Sequence, residues 1–385
     1  MRFADNRNKI GKYIPAVVFL IFIYGMALWF IFSPKPDYSS SEKRYLQKFP
    51  EVTAEKLLSG DFGSEFETFF ADRFPQRNTW VGLNAYTALA EGNNGASGVY
   101  NCKNGSLINK PVSTENNLDK NIGAVADFAK SIDTPTTVML VPSTGYIVDD
   151  VLPTFHDKYN DDEDISKISS TLSKDKIGFV DLRERFKSEY KNGSQLYYKT
   201  DHHWTTKGAY TGYQELCKAL GITPIDDSTL KKDSYPDFYG TTYSSSGFWL
   251  TPPDNIEIWN NPKNSDRNIS VKITEGANIK TSGSMYFTDH LKEDDKYPVF
   301  IDGNHALTEI TNTNAKNGTI LLIKDSFSHS LAPFLAENYS KVVLVDLRYY
   351  KESVSDLVTT YNPEQVVVLY GIDNLATDTD IVWLK

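Results

Sequence analysis

Hydrophobic positions fall into three regimes along the chain. The first is a single block, IPAVVFLIFIYGMALWFIF from Ile14 to Phe32, with no charged residue. A helix needs about 20 apolar residues to cross a hydrocarbon core of about 30 Å, so this block predicts a transmembrane anchor over 14–32. The tail before it, 1–13, carries Arg2, Arg7, Lys9 and Lys12 against Asp5. By the positive-inside rule that tail is expected in the cytoplasm and the chain beyond Ser33 outside the membrane. A cleaved signal peptide would have a shorter apolar core ending at small residues. Here the polar linker SPKPDYSSSEK follows, which favours an uncleaved anchor.

The second regime is helical. From Ala54 to Phe70, Leu57, Leu58, Phe62, Phe66, Phe69 and Phe70 recur near helical spacing. Asp72-Arg73-Phe74-Pro75 ends that helix, and a second is expected over Asn78–Glu91. The third regime is a series of short, β-branched apolar runs: Thr136–Pro142, Ile177–Leu182, Thr319–Ile323, Lys341–Leu347 and Gln365–Tyr370. Helices expected over Ser326–Tyr339 and Glu352–Tyr361 separate the last three. Near-continuous apolar strands alternating with helices predict a parallel sheet covered on both faces, an α/β sandwich with right-handed crossovers. Between Ser234 and Pro298 the alternation gives way to Gly, Ser, Tyr, Asn and Trp. An irregular, β-rich insertion is expected there, either solvated loops or the lining of a carbohydrate site. Asp157–Asp164 reads as a solvated acidic loop. The expected organisation is a tail (1–13), an anchor (14–32), a linker and helical juxtamembrane region (33–95) and one large catalytic domain (96–385).

Composition narrows the function classes. Hydrophobic residues make up 40% of the 385 positions, ample for a core, and 40 Lys and Arg against 50 Asp and Glu leave a net charge of −10. No basic block exists to neutralise phosphates, which argues against a nucleic-acid partner. Setting aside the tail's four cations and one anion leaves the exported part at −13, a better match to neutral sugars than to polyanions. Two cysteines, Cys102 and Cys217, are too few for a disulfide framework or a CxxC zinc site.

Candidate chemistry sits in two segments. In YYKTDHHWTTKGAY (Tyr197 to Tyr210), Asp201 and His203 are two apart, so in an extended segment they share a side and His202 takes the other. A carboxylate on an imidazole Nδ1 fixes the tautomer and leaves Nε2 free as a base. The same letters suit a loop carboxylate with two structural histidines. In TILLIKDSFSHSLAPFL, Ser326 stands where an apolar strand runs out and a helix begins. Carboxyl ends of parallel strands and helix N-termini are where sites form, although Ser is also a favoured structural cap. Together the two segments suggest acyl transfer.

At these residues the chain resembles the DHHW proteins, relatives of the alginate O-acetyltransferases in the SGNH hydrolase-like superfamily. The resemblance rests on Asp201-His202-His203-Trp204 and on KDSFSHSL around Ser326. GDFGSEFETFFADRFPQR, NGSLI at Asn104 to Ile108, FIDGNHALTEI at Phe300 to Ile310 and VDLRYY at Val345 to Tyr350 extend it over most of the chain after the anchor. It implies a three-layer SGNH-like α/β/α fold and a Ser326–His203–Asp201 triad that O-acetylates a surface polysaccharide. It also implies a membrane-bound O-acyltransferase partner as acetyl source, since acetyl-CoA is cytosolic; no cofactor and no metal are expected.

Two departures from the superfamily pattern stand out. Lys324 replaces the glycine before Asp-Ser, and GIDN (Gly371 to Asn374) transposes Asp and Asn of the Gly-x-Asn-Asp block. Asn374 is a candidate oxyanion donor beside the Ser326 N–H, and Arg348 and Tyr349 are candidate substrate contacts. Three rivals share these residues: a carbohydrate esterase with the same triad, a polysaccharide-binding or assembly subunit stacking sugars on Trp249 and Trp259, and a metal phosphoesterase. The last lacks a companion ligand motif.

Overall fold

The computed structural model describes residues 2–112 and 117–384. Met1, the side chains through residue 11 (among them Arg2, Asp5, Arg7 and Lys9 of the tail), residues 113–116 and Lys385 lie outside that description. The chain divides into two compact units, Met1–Thr87 and Ala88–Lys385.

The first unit begins with the helix Arg2–Phe32. Its part Lys12–Phe32, with a mean hydropathy of 2.4, is long and apolar enough to cross a membrane, as a span or a signal sequence would be. The single helix expected over Ala54–Phe70 is two, Ala54–Ser59 and Asp61–Asp72. Gly60 parts them with φ at 87°, a left-handed conformation that a residue without Cβ adopts at little cost. The side chain of Thr53 caps the first helix by accepting from the Lys56 N–H. Lys56 bridges to Glu65 on the second at 2.8 Å. Asp72 is buried and bound to Arg44, whose guanidinium holds its carboxyl below the usual range against the opposing effect of burial.

The second unit is an α/β sandwich about an eight-stranded sheet. Five strands are parallel, in the order Tyr339–Val345, Asn317–Lys324, Gln365–Gly371, Thr136–Val141, Gly178–Asp181. Register is set by pairs such as Ile323 with Val345 and Val368, and Tyr370 with Leu140. Successive residues of these strands enter opposite cores, as a period of two requires. Ile320 and Leu322 pack with Met139, Val367, Leu331 and Phe334 on one face. Leu321 and Ile323 pack with Leu140, Val368, Phe128 and Leu172 on the other. Both faces are dry, which is why these strands read as unbroken apolar runs.

Three antiparallel strands, Leu307–Asn312, Ile269–Glu275 and Asn278–Ser282, extend the sheet beyond Tyr339–Val345. Two of them come from the stretch expected as an irregular insertion, 234–298. In Ile269–Glu275 the apolar residues Ile269, Val271 and Ile273 are buried and their neighbours are not, the signature of a half-covered strand. The rest of that stretch holds a hairpin of Lys231–Phe238 with Asp254–Asn260. The acidic run is also more ordered than a solvated loop, because the helix Asp161–Lys174 starts within it. Asp161 is buried there and accepts from the Ser143 N–H at 2.7 Å.

Candidate active site

Ser326 lies two residues past the end of the strand Asn317–Lys324 and two before the helix Ser328–Leu335, which starts later than the pattern predicts. Asp325 shapes this turn. It accepts from the Phe327 N–H at 2.9 Å, the Gly371 N–H at 2.7 Å and Asn374 Nδ2 at 2.7 Å. Burial raises the Asp325 carboxyl, an effect these three hydrogen bonds only partly offset. The turn is thereby tied to the carboxyl end of the neighbouring strand. Among the described residues no protein acceptor meets the Ser326 N–H.

His203 reaches Ser326 from the far side of the sequence. Its Nε2 lies 2.7 Å from Ser326 Oγ and its Nδ1 2.5 Å from Asp201 Oδ1. Asp201 also accepts from the His203 N–H at 2.8 Å and, on Oδ2, from the Thr241 N–H at 2.7 Å. Burial on its own would raise Asp201, but His203 and His202 and these hydrogen bonds hold it well below the usual carboxylate range. All three side chains are buried, Ser326 least at 9% exposed.

The stretch once expected as an insertion braces this arrangement. Asp254 accepts from the backbone N–H of Lys199 and of Thr200 and from Thr200 Oγ1, clamping the turn that presents Asp201. Gly240 passes so close that a Cβ there would lie 2.1 Å from the Asp201 Cβ. Trp204, fully buried, donates from Nε1 to the Phe327 carbonyl and to Ser330 Oγ, both at 2.9 Å, and so fastens the histidine segment to the serine turn. Tyr297 stacks on His203, 4.0 Å between ring centroids and 9° between planes, and its hydroxyl donates to the Ser326 carbonyl at 3.1 Å.

His202 does not point away from His203. The segment bends instead of extending, and the two rings lie 3.8 Å apart. His202 Nδ1 meets Thr241 Oγ1 at 2.7 Å, and desolvation and His203 push the imidazole down to about 4. Asp201, His202 and His203 are the one group among the described residues compact enough to hold a metal ion, with ligand atoms within 4.8 Å of one another. The facing atoms, however, already have protein partners in Thr241, the Asp201–His203 pair and Ser326.

The remaining candidates are placed less directly. Asn374 spends an amide hydrogen on Asp325 and lines a narrow pocket with Gly371, Phe327, His202 and Ser143. Arg348 is bound to Asp346 at 2.6 Å and to Asn304 at 2.9 Å, and Tyr349 is exposed. Lys324, in the glycine's place, is buried between Asp346 Oδ2 at 2.9 Å and His329 Nε2 at 2.8 Å. Burial lowers the Lys324 ammonium, with Asp346 opposing, and His329 is pressed well below its ordinary value by burial and by that ammonium. Cys102 and Cys217 are buried free thiols.

Spacing paired Asp201 with His203, a strand end marked Ser326, and the family resemblance joined them; the fold brings the three into one hydrogen-bonded series. It carried no signal for Tyr297, Thr241 or Asp254, which act from tens of residues away.

The sequence pattern of the DHHW protein family matches residues 108–345. A DHHW family protein from Eubacterium siraeum superposes with a TM-score of 0.61 at 17% identity, covering 74% of this chain and 97% of that one. Bacillus cereus PatB1, solved with a sulfonyl adduct, superposes with a TM-score of 0.62 at 20% identity over 74% of this chain and 97% of its own. At these identities the likeness is one of fold. No curated protein matches.

Proposed function

This chain belongs to the DHHW protein family, and from that premise we propose that it is an extracytoplasmic O-acetyltransferase acting on a cell-surface or secreted polysaccharide. The observation that carries the reading is the 2.7 Å contact of Ser326 Oγ with His203 Nε2, backed by Asp201 on Nδ1. In the first step His203 takes the Ser326 proton as Oγ attacks the carbonyl of an acetyl donor. The donor's leaving group departs with that proton, and Ser326 is left acetylated. In the second step His203 takes the proton of a sugar hydroxyl, whose oxygen attacks the acetyl carbonyl. Ser326 leaves and recovers the proton. Asp201 holds the imidazole tautomer and stabilises the imidazolium in both steps.

The Ser326 N–H is the oxyanion donor we favour, with Asn374 beside it through the amide hydrogen that Asp325 leaves free. Tyr349 is exposed and suited to meet a sugar, whereas Arg348 is engaged by Asp346. The apolar helix is read as an uncleaved anchor with the basic tail in the cytoplasm, so that 96–385 works outside the cell membrane. A membrane-bound O-acyltransferase supplies the acetyl groups in this scheme.

Replacement of Ser326 by Ala is the test. Acetyl content of the secreted polysaccharide should fall to background while the variant accumulates normally. Unchanged acetylation would sink the proposal. The purified domain, given an aryl acetate with and without an oligosaccharide, separates transfer from hydrolysis: a transferase diverts acetyl to the sugar.

A further inference from the structure

The helix pair Ala54–Ser59 and Asp61–Asp72 presents an apolar stripe that the first unit covers only in part, Phe49 packing on Phe62 at 6.5 Å and on Phe66 at 6.0 Å between ring centroids. Leu58 is 90% exposed, and Leu57, Phe66 and Phe70 are exposed with it. On the second helix Phe62, Phe66 and Phe70 are spaced by four, so they lie along one side, while Ser64, Glu67 and Thr68 make up the rest of its exposed surface; Leu57 and Leu58 extend the apolar surface from the first helix, across the Gly60 break. The stripe is continuous with the apolar helix. Phe30, in the last turn of Lys12–Phe32, packs on Phe70 at 4.8 Å and on Phe69 at 6.2 Å between ring centroids.

That contact fixes a depth. If Lys12–Phe32 crosses the hydrocarbon core, Phe30 is at its outer boundary, and the stripe seated on Phe30 is at the level of the lipid headgroups. From this we infer that the helix pair is a membrane-surface element whose partner is the bilayer itself. Its apolar side lies in the boundary between headgroups and acyl chains, and its polar side faces water. A short amphipathic helix with several aromatic residues partitions there because apolar area leaves water without any backbone group losing its hydrogen bond. The inference rests on the anchor reading of the N-terminal helix and is independent of the chemistry at Ser326.

The test uses the full chain in vesicles of phosphatidylethanolamine and phosphatidylglycerol, with one nitroxide at a time. Both native thiols are buried and pushed up to about 12, so exposed engineered cysteines label selectively. The variants are Ile21→Cys in the anchor, Leu58→Cys and Phe66→Cys on the stripe, and Glu67→Cys on the polar side. Collision with oxygen, which concentrates in lipid, is compared with collision with a water-soluble nickel chelate. Positions 21, 58 and 66 should favour oxygen several-fold, and position 67 nickel. Nickel-accessible labels at 58 and 66 with oxygen favoured at 21 would leave the anchor standing and overturn the surface element. Labels at 58 and 66 shielded from both reagents would overturn it as well, in favour of a protein partner. Nickel access at 21 would overturn the anchor reading and the inference together.

Discussion

The ring of Tyr297 lies flat on that of His203, 4.0 Å away, while the Tyr297 hydroxyl donates to the carbonyl of Ser326. One side chain thus touches both ends of the contact on which the proposed chemistry depends. An aromatic face over an imidazole stabilises its cationic form, by about 0.5–2 kcal/mol for such pairs.

Tyr297→Leu should therefore lower kcat/KM for an aryl acetate by roughly tenfold, because the imidazolium formed in the reaction loses its supporting face. Tyr297→Phe keeps the face and should keep most of the rate. Equal rates for Leu and Phe would reduce Tyr297 to packing.

Asp201→Asn should cost on the order of 10³- to 10⁴-fold in turnover, since an amide facing Nδ1 favours the tautomer with its proton on the Ser326 side. The protein should stay folded, the Thr241 N–H still finding an oxygen at this position. Circular dichroism alongside the rate assay separates the two effects.

Lys324 and Asp346 form a buried ion pair, Nζ to Oδ2 2.9 Å, in which neither charge reaches water. Removing one partner should be severe, about 3–5 kcal/mol in denaturant unfolding for Lys324→Met, because Asp346 then keeps only Arg348. A loss under about 1 kcal/mol would mean that the pair contributes nothing net to stability.

Asp161 carries a pH signature. Desolvation, opposed by its hydrogen bond from Ser143 and reinforced by Asp373, raises it to about 7. The folded state therefore binds a proton that the unfolded chain, with a carboxyl near its ordinary value, has released. The contribution of Asp161 to stability is fully present below that ordinary value and is lost as pH rises through about 7, up to about 4 kcal/mol at 1.36 kcal/mol per unit. Asp161→Asn should flatten this decline, as unfolding midpoints at pH 5 and pH 8 would reveal.

How much of this was legible in the sequence follows from range. The parallel strands announced themselves because both faces of Asn317–Lys324 and Gln365–Gly371 are buried, leaving apolar letters at nearly every position. Asp201 and His203 could be paired because they stand two positions apart, with only His202 between them. The antiparallel extension was legible only as an irregular, β-rich insertion: Ile269–Glu275 is covered on one face only, and its serine, lysine and threonine interrupt the apolar run. Thr241, Asp254 and Tyr297 were invisible as site residues for a different reason. Each acts through contacts made only when distant segments meet, and a tyrosine or aspartate in a mixed stretch has no periodicity to betray it. His202 was misplaced because a turn had been treated as a strand.

The order of strands has a consequence in time. Gln365–Gly371, last in sequence among the described strands, lies between Thr136–Val141 and Asn317–Lys324. Its Gly371 N–H also anchors Asp325 beside Ser326. A chain emerging N-terminus first can close neither the middle of its sheet nor the serine turn until Gln365–Gly371 arrives. Such non-local pairing is slow to form. On the reading that the chain is exported through the membrane, the proposed nucleophile stays unassembled until that strand has been made and has crossed, so the proposed chemistry is confined to the far side.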